Sequence, residues 1–90
     1  MTDTPMHRIN GWLEAASSTV LSELDAIKDP LERQGAARDV LENLLPAIAR
    51  EVKANRGRAV AELREGRTLA QVGELLGMST ARVDQILKGK

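Results

Sequence analysis

Thr80, Ala81, Asp84, Gln85 and Lys88 follow one another at intervals of one, three, one and three residues near the end of this 90-residue chain. On a helix that spacing puts all five on one face. Their chemistry suits the edges of base pairs. A glutamine amide both donates and accepts, matching N7 and N6 of adenine, and the Ala81 and Thr80 methyls suit the methyl of thymine. Asp84 offers an acceptor for a cytosine amino group, or a partner for Arg82. A second set, Arg67, Thr68, Gln71, Ser79, Arg82 and Lys88, supplies the cations, hydroxyls and amide that hold phosphate oxygens. Arg56, Arg58 and Arg64 either extend that set or form a solvated face.

Such residues work only if two short helices hold them. Thr68 with Gln71 makes a capping box that opens a helix over Leu69–Leu76. Gly77 allows a turn at a backbone angle most residues avoid, and Ser79 caps a second helix running from Thr80 to about Lys88. Val72 and Leu76 face inward from the first helix, Val83 and Ile86 from the second, with Met78 filling the turn. Gly73 is small where the two helices meet. Caps, turn glycine, small crossing residue and inward positions agree within about twenty residues, as a helix-turn-helix requires.

Thr68-Leu-x-x-Val-Gly followed by Ser79-x-x-Arg82-Val83-x-Gln85-Ile86 resembles the helix-turn-helix of region 4 of primary bacterial sigma factors, and the small bacterial regulators that share that motif. The likeness covers roughly residues 58–88. It implies a bacterial protein whose second helix enters the major groove of double-stranded DNA. Ser79, Arg82 and Gln85 match the family pattern. Thr80, Ala81 and Asp84 stand where the family has arginine, glutamate and arginine, so its promoter-hexamer specificity is not implied.

Composition narrows the alternatives. There is no cysteine or tyrosine, and there is one histidine, His7. A disulfide framework and a thiolate metal site are therefore excluded, and little acid–base equipment is left. An enzyme, a cofactor and a metal are not expected. His7 reads as a surface residue. No basic stretch leads into an apolar run at the N-terminus, and no apolar run nears the roughly 20 residues that span a bilayer. The expected location is cytoplasmic, without a membrane partner. Net charge is zero but unevenly spread. Through Ala49 there are four basic and eight acidic residues; from Arg50 there are nine basic and five acidic. The basic end is the one suited to a polyanion.

The rest of the chain is also helical in pattern, so the fold class expected is all-α. Thr4-Pro5 starts a helix whose apolar stripe runs Met6, Ile9, Leu13, Ala16, Val20, Leu24 and Ile27, with Trp12 beside it as core material. Asp29-Pro30 starts another, carrying Leu31, Ala37, Val40, Leu41, Leu44, Leu45, Ile48 and Val52. Pro46 lies inside that stripe and should kink or split it. Asn55-Arg56-Gly57-Arg58 reads as a weak point or a turn, with a further helix from about Arg58 to Glu65, Val60 and Leu63 inward. The expected organisation is a helical hairpin over 1–54 and a three-helix unit over 55–90 containing the helix-turn-helix.

One recognition helix makes few base contacts, and small readers commonly double them across a dyad. The hairpin is the obvious dimerising element, with Trp12, Leu13, Val20, Leu24, Leu41, Leu44 and Ile48 forming or supporting a homodimer interface. The expected function is a dimeric transcriptional regulator or nucleoid-type DNA binder. The alternative is a sigma-like adaptor that docks RNA polymerase or another protein, or an antitoxin whose hairpin binds a toxin.

Overall fold

The computed structural model describes residues 4–90, which are all-α: no strand occurs among them. The elements are α1 (Pro5–Asp25), α2 (Pro30–Asp39), a π-helical turn (Val40–Leu44), α3 (Leu45–Arg64), α4 (Leu69–Leu76) and α5 (Thr80–Leu87). Contacts divide the chain into two compact units, one reaching to Glu42 and one spanning Asn43–Lys90. The division lies beside the uncharged stretch 43–49. The acidic and basic halves of the sequence are therefore the two units.

In the first unit, local chemistry sets the helix starts. Thr4 Oγ1 accepts from the His7 amide at 3.1 Å, and Pro5 follows at the first helical position. Asp29 does the same for α2, accepting from the Leu31 amide at 3.4 Å ahead of Pro30. Between them, Arg33 Nη1 donates to the Ile27 carbonyl at 3.0 Å, tying α2 to the link. No residue of α1 or α2 is buried. Partial burial is confined to Leu24, Ile27, Arg33, Ala36, Ala37 and Val40. Trp12, expected as core, is 76% exposed. The partly buried residues of α1 and the link, Leu24 and Ile27, lie near its C-terminal end, well away from residue 12.

Pro46 does not split its helix. Helical structure continues from Pro30 to Arg64, with the π turn placed just ahead of the proline. Proline has no N–H for the carbonyl four residues back, and its ring collides with that carbonyl. A widened turn, bonded five residues apart instead of four, relieves both problems without ending the helix.

The turn expected over Asn55–Arg58 is absent, and α3 runs through it. Gly57 is where α3 comes close to the end of α5: a Cβ there would lie 3.4 Å from the Ile86 carbonyl oxygen. Glycine within a helix costs about 1 kcal/mol relative to alanine. The packing of Val60 and Leu63 further along α3 outweighs it.

In the second unit α3, α4 and α5 each touch the other two. Its core is small: Val60, Val72, Val83 and Ile86 are buried, with Leu63, Leu69, Leu76 and Leu87 packed around them. Each buried side chain of this kind stabilises by roughly 1.5–3 kcal/mol, so local devices matter. The Thr68 capping box is complete, Oγ1 accepting from the Gln71 amide at 3.2 Å and the Thr68 amide donating to Gln71 Oε1 at 2.9 Å. Thr68→Ala removes the acceptor and is expected to destabilise the unit by about 1 kcal/mol in denaturant titration.

Candidate nucleic-acid interface

The segment joining α4 and α5 is set by three backbone facts. Gly77 is left-handed at φ 67°, ψ 35°, a conformation that disfavours a Cβ. The Met78 amide donates back to the Gly73 carbonyl at 2.9 Å. A Cβ on Gly73 would lie 2.6 Å from the Met78 carbonyl oxygen, so the turn lies directly on the glycine. Met78, expected to fill the turn, is 36% exposed and so mostly covered, and its backbone makes the close contact with Gly73.

Ser79 then caps α5, its Oγ accepting from the Arg82 amide at 3.1 Å. Val83 and Ile86, fully or almost fully buried, fix how the helix is rotated. Thr80, Ala81, Gln85 and Lys88 are consequently exposed, and Asp84 is half-exposed. The five residues expected on one face do share the outer face of α5.

Two of their polar groups are paired along the helix. Lys88 Nζ lies 2.8 Å from Asp84 Oδ2. Arg82 Nη1 donates to Gln85 Oε1 at 3.4 Å. Asp84 is thus the partner of Lys88, not of Arg82, because an i,i+4 reach suits a lysine better than the two-residue step from Arg82. An exposed pair of this kind contributes only about 0.3–0.5 kcal/mol, so a phosphate or base can displace it. While Gln85 Oε1 accepts from Arg82, its NH2 group remains a donor to the outside.

The candidate phosphate contacts fall into two groups. Arg82 and Lys88 belong to α5, with Ser79 at its start. Thr68 and Gln71 form the start of α4, next to Arg67. Their hydrogen-bond capacity is partly committed: Gln71 spends its oxygen in the capping box but keeps its amide NH2, and the Thr68 and Ser79 hydroxyls accept from backbone but still carry a proton. Arg67 Nη1 donates to the Leu63 carbonyl at 2.9 Å. Arg64 donates to the Arg67 carbonyl, so it braces the α3–α4 link.

Sequence reasoning missed Leu75, which is 60% exposed on α4. It lines an open depression with Gly66, Arg67, Gln71 and Glu74. The signal was available, since Leu75 follows Gln71 by one helical turn on the outward side. Of the candidate dimer residues, Trp12, Leu13, Val20 and Leu41 in the first unit are exposed and Leu24 is partly buried; Leu44 and Ile48 in the second are exposed.

Among the described residues no group of three or more His, Asp or Glu side chains is placed to hold a metal ion. No helix among them is long and apolar enough to cross a membrane. No protein-family model, curated protein or solved structure matches the chain.

Proposed function

We propose that this protein binds double-stranded DNA sequence-specifically, as a transcriptional regulator that lays α5 in the major groove. The observation that carries the reading is the outer edge of α5: Thr80, Ala81, Gln85 and Lys88 exposed on a helix whose other side is locked by Val83 and Ile86. Its net positive unit and the likeness of residues 58–88 to sigma region 4 support it. On the DNA, Gln85 exchanges Arg82 for adenine, its oxygen accepting from N6 and its NH2 donating to N7. Arg82 is thereby released to a phosphate. Lys88 likewise leaves Asp84 for the backbone, and Asp84 then faces the groove as an acceptor for a cytosine amino group. The start of α4, with Thr68, Gln71 and Arg67, seats a further phosphate.

Selection of bound sequences from random duplexes tests the reading, an enriched motif being the expected outcome. Within that motif Gln85→Ala is expected to relax preference at one position by about 1–3 kcal/mol, while Lys88→Ala weakens all sequences alike. Equal losses on every sequence for both variants would remove Gln85 as a reader. A second reading, a sigma-like adaptor or an antitoxin acting through protein contacts, is favoured by the exposed Leu75 and by the exposed apolar residues of the first unit. It predicts no enriched sequence.

A further inference from the structure

In the acidic unit no residue of either helix is fully buried, yet α1 carries an ordered apolar stripe. Met6, Ile9, Leu13, Ala16 and Val20 follow at steps of three, four, three and four. This is the spacing of alternate a and d positions in a helix that packs lengthwise against another. Four of these five, Met6, Ile9, Leu13 and Val20, are between 40% and 58% exposed. An isolated helix is marginal in water, and helices in proteins owe most of their stability to packing of such a face. Within this unit the stripe has no cover.

We infer that α1 pairs antiparallel with α1 of a second copy of this chain about a two-fold axis between residues 14 and 15. Two observations favour a second copy. First, with the axis there, the middle of the stripe pairs with itself. Leu13 meets Ala16 of the other copy and Ile9 meets its Val20, each pair occurring twice, so that a large side chain faces a small one nearest the axis. Second, the charges suit that direction. Glu23 and Asp25 at the end of one helix run beside the end of the other that carries Arg8, whereas a parallel pair would set Glu23 on Glu23 and Asp25 on Asp25. Trp12, one position from Leu13, covers the edge of the seam close to the axis.

The native chain has no cysteine, which makes the register testable by disulfide formation in the full-length protein without DNA. Chains carrying Leu13→Cys and chains carrying Ala16→Cys are oxidised separately and after refolding together. A disulfide needs the two Cβ atoms about 4 Å apart, so the mixture is expected to cross-link at least about tenfold faster than either variant alone. Cross-linking of each variant with itself, at the rate of the mixture, would mean a parallel pair and overturn the inference. The unsubstituted chain supplies a second readout. Trp12 is its only tryptophan, and its emission is expected to shift to the blue and lose access to iodide as concentration rises through the association range. A chain that sediments as a monomer at tens of micromolar with unchanging Trp12 emission would mean that a different protein covers the stripe, and the inference fails. Either result is independent of whether α5 reads DNA.

Discussion

Gly73→Ala is expected to destabilise the second unit by about 2–3 kcal/mol, the range of an overpacked core. For a domain of this size that lowers Tm by roughly 8–24 °C. Alanine at a helical glycine ordinarily stabilises, since it restricts the unfolded chain and has the higher helix propensity. At Gly73 the new methyl would lie 2.6 Å from the Met78 carbonyl oxygen, with the Met78 and Ser79 carbonyl carbons at 3.7 Å. All three atoms are backbone, so no rotamer change relieves the contact and the turn itself must move. That movement pulls on the Met78 amide bonded to the Gly73 carbonyl and on Ser79, the cap of α5. Val72 and Val83, the two completely buried residues of a very small core, flank the segment that shifts. Gly11 provides the control: it is helical, and a Cβ there meets nothing within 4 Å. Gly11→Ala is therefore expected to leave stability unchanged or raise it by up to about 1 kcal/mol. Thermal unfolding followed by far-ultraviolet circular dichroism distinguishes the two; matched melting curves for both variants would contradict the close contact.

The second large effect is on binding. Arg67, Arg82 and Lys88 are the three cations in the proposed phosphate set. Each phosphate neutralised releases counterions, so the logarithm of the binding constant falls against the logarithm of salt with slope near −0.9 per contact. Three contacts from one chain predict roughly a 40-fold loss of affinity between 50 and 200 mM salt, and six from a two-fold pair predict about 10³-fold. The size of the loss thus reports how many chains engage the duplex. Lys88→Ala should flatten the slope by about one for each bound chain. Affinity indifferent to salt would remove the phosphate contacts and with them the DNA reading, leaving the protein-docking alternative.

Much of the α4–α5 segment was legible because its determinants lie within a few residues of one another. Thr68 reaches Gln71, Ser79 reaches the Arg82 amide, and Gly77 needs only its own φ and ψ. The inward set Val72, Val83 and Ile86 follows from the helical period once the two caps place the helices. Thr4 and Asp29 were readable for the same reason. By contrast, Asn55-Arg56-Gly57-Arg58 has the composition of a turn, and nothing nearby in the sequence says otherwise. Its helix is kept by contacts that α3 makes with α5, including a carbonyl of Ile86 that only the folded chain brings to Gly57.

By itself, then, the sequence determined the all-α class, the places where four of the helices begin, the left-handed turn at Gly77 and the residues on the outer face of α5. Hydrogen bonds spanning three or four residues, and a repeat of 3.6, decide those things before any tertiary contact forms. Only the tertiary structure decided that α3 continues through Gly57, that Met78 packs by its backbone, and that Trp12 is left uncovered. Those outcomes depend on which distant atoms arrive beside a residue, or fail to.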